Sequence, residues 1–190
     1  MRQLTYFVAT TLDGRIAAPD GSFDFFSFDP AYLSAVAADW GDTFPTAFHE
    51  AFGTTAPRTT FDTVLMGRGT FEPAIQAGIA DPYAHLDTVV YSSSLDPSRY
   101  PQVTIVSDDP IAHVRELKQA DGGGIWLCGG GRLAASLAAE VDRLVLKLNP
   151  VTVGDGIPLF SGAFAPQHWR LESSRTYDPG VVLLEYAQER

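Results

Sequence analysis

Two short stretches carry residue types that could hold a phosphate-bearing ligand. Ile125-Trp126-Leu127-Cys128-Gly129-Gly130-Gly131-Arg132-Leu133 runs an apolar triplet into three glycines and then into a Leu/Ala pattern ending at Leu137, the signature of strand, sharp turn and helix. Glycines at such a turn let a ligand approach the backbone, while free N–H groups and the partial positive charge of a helix start favour an anion. Thr63-Val64-Leu65-Met66-Gly67-Arg68-Gly69-Thr70-Phe71-Glu72 repeats the arrangement, with Thr70 suited to the N-cap region and Arg68 supplying a fixed charge. Either turn alone is equally well explained as a tight strand-to-helix connection. Two of them, each with one arginine, fit the two ends of a dinucleotide.

Other polar groups allow more than one reading. Ser92-Ser93-Ser94 follows the apolar run Thr88-Val89-Val90-Tyr91 and could hold a ribose or its phosphate, or simply solubilise a loop. Asp13-Gly14 is a turn after the strand-like Leu4-Thr5-Tyr6-Phe7-Val8-Ala9, so Asp13 either faces a ligand at a strand end or bonds its own turn. Phe23, Phe25, Phe26 and Phe28 crowd one turn-rich loop and are expected to avoid water, as a wall of a ligand pocket or against the protein's own helices. Asp39, Asp42 and Glu50 are expected as solvated surface groups. His49, His85, His113 and His168 form no spaced metal-ligand motif, and Cys128, ending a buried strand, reads as an inert thiol.

The elements that must position these groups follow from the pattern. The 190 residues, 45% hydrophobic and 19% charged, suit a single domain spanning 1–190. No apolar run is long enough to cross a bilayer, and the net charge of −10 argues against general nucleic-acid binding. A single cysteine and the lack of a secretory-type start suggest the cytoplasm. Tyr32, Leu33, Val36 and Trp40, followed by Phe44, Ala47, Phe48, Ala51 and Phe52 up to Gly53, read as one broken helix or two short ones. The helix after Gly69 is expected to be short, with Pro73 in its first turn and Gly78 ending it, and another helix is expected over residues 110–119 behind Pro110. The middle of the chain is thus a strand-helix alternation with a mostly parallel sheet. Strands over 143–148, 169–177 and 181–186, the last two joined by Asp178-Pro179-Gly180, finish it antiparallel, with residues 150–158 as a loop.

In order and spacing, Thr11-Leu12-Asp13-Gly14-Arg15-Ile16-Ala17, Met66-Gly67-Arg68-Gly69-Thr70-Phe71-Glu72, Val90-Tyr91-Ser92-Ser93-Ser94-Leu95, Gly129-Gly130-Gly131-Arg132-Leu133 and Gly154-Asp155-Gly156-Ile157-Pro158-Leu159-Phe160 resemble the dihydrofolate-reductase-like superfamily. Within it, the chain is similar along nearly its whole length to the reductase domain of the riboflavin pathway, the RibD C-terminal domain family. The resemblance implies an α/β fold, a three-layer α-β-α arrangement around a mixed eight-stranded sheet, mostly parallel with antiparallel C-terminal strands. It also implies NADPH as cofactor, a small heterocyclic or imine substrate and a homodimer. Carried over, Gly67, Arg68, Gly69 and Thr70 would meet the adenosine phosphates, and Arg68, Ser92 and Ser93 the 2′-phosphate. Gly129, Gly130, Gly131, Arg132 and Leu133 would wrap the pyrophosphate, and Ala9 and Ile16 would touch the nicotinamide. Asp13, Asp39 and Asp42 are the carboxylates available as proton donors, and Phe23, Phe25 and Phe26 are the candidate substrate wall. Cys128 stands where the riboflavin-pathway reductases commonly have an acidic residue that binds substrate. The alternative is a protein of the same fold that binds NADP without turnover.

Overall fold

The computed structural model describes residues 1–51, 53 and 58–189. Ten strands, β1 Leu4–Thr10, β2 Arg15–Ala17, β3 Phe61–Gly67, β4 Asp87–Tyr91, β5 Thr104–Val106, β6 Gly124–Gly129, β7 Arg143–Leu148, β8 Ile157–Pro158, β9 His168–Tyr177 and β10 Val181–Glu189, are interleaved with four α-helices. The helices are α1 Pro30–Trp40, α2 Arg68–Gln76, α3 Pro110–Gln119 and α4 Gly131–Ser136. Eight strands form one sheet in the order β5-β4-β3-β6-β1-β7-β10-β9, and β2 with β8 forms a small second sheet. Pairing is parallel from β5 through β7 and antiparallel at β7-β10 and β10-β9, as the sequence pattern predicts.

β1 is central because its side chains are apolar on both faces, which only a strand covered from both sides tolerates. Phe7 joins a cluster with Tyr32, Val36 and Trp40 of α1 and with Phe71 and Ala74 of α2. Leu4, Tyr6 and Val8 join the opposite cluster, with Val114 of α3 and Leu133 and Ala134 of α4. Capping follows local chemistry: Asp29 accepts from the Tyr32 N–H ahead of Pro30, and Asp109 from the Ile111 N–H ahead of Pro110. No helix among the described residues is long and apolar enough to cross a membrane.

Three local expectations are corrected. The helix of residues 30–40 does not resume at Phe44. Pro45 disfavours helical backbone in the residue before it, and only 3-10 turns at Gly41–Thr43 and Thr46–Phe48 follow. Gly53, at φ +62°, ends a turn rather than a helix, and Phe52 lies outside the described residues. In α2 helical backbone begins at Arg68, directly after Gly67, so Thr70 is the third helical residue and not a cap, and Pro73 lies in the second turn. Pro73 therefore leaves the Gly69 carbonyl without its helical N–H donor. β2 and β8, three and two residues long, are too short to be read from pattern.

Asp42 is corrected most sharply, because it is only 1% exposed. One carboxylate oxygen accepts from the Thr60 N–H (2.6 Å), the Phe61 N–H (3.0 Å) and the Thr59 hydroxyl (3.2 Å), which ties the stretch after α1 to the start of β3. A hydrogen-bonded carboxylate is the form of this group that burial permits. Replacing Asp42 with Ala strands two backbone donors, and a loss of about 2–3 kcal/mol in urea unfolding is expected, with ligand binding at the far edge of the sheet unchanged in the folded fraction.

Candidate functional site

β3 and β6 lie side by side in parallel, and Met66 and Gly129 are paired in register, so the two glycine turns are pressed against each other at the C-terminal edge of the sheet. A Cβ on Gly67 would sit 3.8 Å from the Gly130 nitrogen, and one on Gly129, at φ +149°, would sit 3.3 Å from the Thr70 hydroxyl. β1 pairs with β6 only from Leu4 to Tyr6, although it stays paired with β7 as far as Thr10. Between the ends of β6 and β1, where the strand order reverses, a groove of about 950 Å³ opens. That is where open α/β sheets receive ligands, and the size suits a cofactor or drug-sized molecule.

The lining brings together both turns, 67–70 and 128–133, with Val8 of β1, Ile16 and Ala17 of β2, Phe23, and Ile157 and Pro158 of β8. Gly131 lets β8 close the far wall: a Cβ there would lie 2.2 Å from the Pro158 carbonyl oxygen, and the Ser161 N–H donates to the Gly131 carbonyl at 2.9 Å. Around Gly69 a Cβ would meet nothing within 4 Å, so its absence enlarges the open groove. Arg68 donates to the Ser94 hydroxyl at 2.6 Å and lies 3.5 Å from Glu72, and Arg132 is exposed at the rim. The floor is apolar and the rim carries both arginines, an arrangement able to hold a flat group inside and an anionic group at the mouth.

The expected residues distribute unevenly. Ile16, 67–70 and 129–133 all line the groove, as does Phe23. Ala9 does not: by strand alternation it shares the α1 side with Phe7, and Val8 faces the groove instead. Ser92 caps its own turn by accepting from Ser94 and Leu95, Ser93 is exposed, and Ser94 is the member that meets Arg68. The expectation that the phenylalanine loop avoids water is corrected. Phe23 and Phe28 are 46% and 56% exposed, while Phe26 is buried with the Phe25 ring tilted against it, 4.6 Å between ring centroids, and neither of that pair lines the groove.

None of the three candidate carboxylates lines the groove. Asp13 accepts from the Thr11 hydroxyl (2.6 Å), the Gly154 N–H (2.7 Å) and the Val153 N–H (3.3 Å), bonds that hold its carboxyl below the usual carboxylate range, so near neutral pH it ties two loops together as an anion. Asp39 is paired with Arg175 on the outer side of α1. Asp42 binds the start of β3, about 20 Å along a seven-residue strand from Gly67.

Lys147 is the ionisable group that pattern reading passed over, because it looks like one charged member of an alternating strand. It lies in register with Ala9, its ammonium is 4.6 Å from the centre of the Phe7 ring, and it neighbours the Cys128 thiol in the groove wall. Burial pushes the lysine down to about 8 and the thiol up to about 11, while Tyr83, hydrogen-bonded to that thiol, is raised further by burial.

The family model of the RibD C-terminal domain matches residues 2–183. The Bacillus subtilis protein YwjB, itself uncharacterized, is 29% identical over 184 residues, covering 96% of each chain. The crystal structure of the Thermotoga maritima diaminohydroxyphosphoribosylaminopyrimidine deaminase/5-amino-6-(5-phosphoribosylamino)uracil reductase superposes with a TM-score of 0.67 at 17% identity, over 99% of this chain and 57% of that one. Enterococcus faecalis dihydrofolate reductase, in complex with NADP(H), gives 0.67 at 16% identity over 99% and 97%. At these identities the likeness to solved structures is one of fold, and it bears out the expected eight-stranded architecture.

Two outcomes follow from the geometry. Gly131→Ala drives a methyl into the Pro158 carbonyl and is expected to cost about 1–3 kcal/mol, seen as a lowered melting temperature. Lys147 has a folded pKa below its ordinary 10.5, so folding disfavours its charged form below pH 8, and the penalty lifts as pH rises from about 8 to 10.5. The stability advantage of Lys147→Met over wild type is therefore expected to be largest below pH 8 and to shrink toward pH 10.5 in urea unfolding across that window.

Proposed function

Because the chain belongs to the RibD C-terminal domain family, we propose that it is an NADPH-dependent reductase acting on a small heterocyclic or imine substrate. The observation that carries this reading is the juxtaposition of two glycine turns, each followed by an arginine or containing one, around a single groove at the switch point of the sheet. The residues present fit the cofactor: the glycine backbone leaves room where Cβ atoms would intrude, and the rim supplies cationic partners for phosphate. In this assignment Gly67, Gly69 and Thr70 take the adenosine phosphates, and Arg68 with the Ser92-Ser93-Ser94 turn takes the 2′-phosphate. Gly129, Gly130, Gly131, Arg132 and Leu133 surround the pyrophosphate, and Ile16, with Ala9 behind it, lies toward the nicotinamide.

When bound, NADPH supplies a hydride to an electrophilic carbon. The chain's own contribution is to orient two reactants and to exclude water with the apolar lining of Val8, Ile16 and Leu133. Pterin-like and phosphoribosylaminouracil-like molecules are the candidate substrate classes. Cys128, a thiol in the groove wall where a carboxylate is common in the riboflavin-pathway reductases, favours the former. A second reading, binding of NADP without turnover, is favoured by one observation: no carboxylate among Asp13, Asp39 and Asp42 reaches the groove. We further assign the exposed edge strand β9, with Leu171 half exposed, to a homodimer contact.

Fluorescence titrations with NADPH and NADH test the cofactor assignment. NADPH is expected to bind more tightly, and Arg68→Ala to weaken it by about tenfold while changing NADH by less than about threefold, since the lost contact is to the 2′-phosphate. Absence of binding by either nucleotide overturns the reductase reading. Oxidation of bound NADPH by a pterin or aminopyrimidine separates it from the non-turnover reading.

A further inference from the structure

Among the described residues the charged side chains lining the groove are two cations, Arg68 and Arg132, and two carboxylates, Asp20 and Glu72. The site is thus electrically balanced within a chain of net charge −10, so what a phosphate gains there depends on which carboxylate stands beside which cation. Arg132 has no carboxylate within ion-pair distance among the described residues. Arg68 has one: its Nε lies 3.5 Å from a Glu72 carboxylate oxygen, while its Nη1 donates to the Ser94 hydroxyl at 2.6 Å. Asp20 is committed to its own turn, accepting from the Ser22 N–H at 2.9 Å and the Ser22 hydroxyl at 2.7 Å.

Local geometry explains why Glu72 reaches the groove. Helical backbone in α2 begins at Arg68, and one turn later residue 72 lies over residue 68. Gly69, Glu72 and Pro73, at spacing i, i+3 and i+4, form the face of the helix that lines the groove. That face presents acceptors: the Glu72 carboxylate, and the Gly69 carbonyl that Pro73 deprives of its helical N–H. With side chains 51% and 36% exposed, Arg68 and Glu72 gain little from each other, so the pair is easily rearranged by a ligand.

Resting on the reductase reading, we propose that Glu72 is a specificity-determining residue, a carboxylate that competes with the cofactor's 2′-phosphate for the Arg68 guanidinium and so narrows the preference for NADPH over NADH. The phosphate brings about two negative charges to a guanidinium that already has a carboxylate beside it, and the two anions repel each other. NADH brings a neutral 2′-hydroxyl, a donor that an acceptor-bearing helix face receives without conflict. Arg68 draws the 2′-phosphate in and Glu72 opposes it; the preference is the difference between the two.

Fluorescence titration with NADPH and NADH reads that difference directly. Displacement of bound NADPH by adenosine 2′,5′-bisphosphate or by adenosine 5′-monophosphate reads the adenosine end alone. Glu72→Gln keeps the size of the side chain and removes its charge. It is expected to tighten NADPH and the bisphosphate by about 3- to 10-fold, while NADH and the monophosphate stay within about twofold of wild type or weaken. Glu72→Ala should raise the NADPH-to-NADH affinity ratio in the same direction, and Glu72→Asp, which keeps the charge, should stay within about twofold of the wild-type ratio. Asp121→Asn removes the same unit of charge from an exposed residue before the start of β6, at the opposite edge of the sheet, and should leave the ratio unmoved. An unchanged or lowered ratio in Glu72→Gln, or an equal rise in Asp121→Asn, overturns this inference and leaves the reductase reading standing. Failure of both nucleotides to bind the wild-type protein overturns that reading and this inference with it.

Discussion

The parting of β1 from β6 is the constraint on which the rest depends. β1 has three residue pairs with β6 and six with β7, so its last turn of chain is held on one side only. The crevice left on the other side is the groove, and every groove-lining residue is there because some element must line that gap. β6 leaves the sheet at Gly129 and β3 leaves at Gly67, and because the two strands are register-matched neighbours their exits coincide. Backbone N–H groups freed at both exits, with no Cβ to cover them, then face one space.

Closing the crevice from outside requires chain that comes from far away in sequence. β8 reaches it from beyond residue 150, pairs with β2 and rests its Pro158 carbonyl on Gly131 at a separation no side chain would permit. The same region is fixed from below by Asp13, whose carboxylate gathers the N–H groups of residues 153 and 154. Tyr6 adds a third tie, its hydroxyl donating to the Leu159 carbonyl and its ring meeting Phe160 edge-on. Asp13 is therefore a support of the groove wall rather than a participant inside it.

Charge is handled locally. The chain is strongly acidic, and most of its described arginines are held in ion pairs such as Arg143 with Glu185 and Arg115 with Glu140. Among the described residues Arg15, Arg99, Arg132 and Lys147 stand outside this pairing, Arg132 at the mouth of the groove and Lys147 behind its wall. An acidic protein that receives anionic groups needs such local exceptions, since its long-range field works against them.

Much of this was legible in the sequence. Runs of apolar residues ending in glycine, proline at helix starts and a Pro-Gly hairpin are local signals, because backbone dihedral freedom and apolar periodicity are properties of a few consecutive residues. They sufficed for the eight strands of the main sheet, for α3, for both glycine turns and for the mixed sheet, but not for β2 and β8. What they could not decide was which side of a strand faces a ligand and which carboxylate faces water. Val8 rather than Ala9, Ser94 rather than Ser92 or Ser93, a buried Asp42, and Lys147 beside Cys128 are outcomes of register between distant strands. A one-residue difference in register reverses every face, and no local pattern carries that information; only the assembled sheet does.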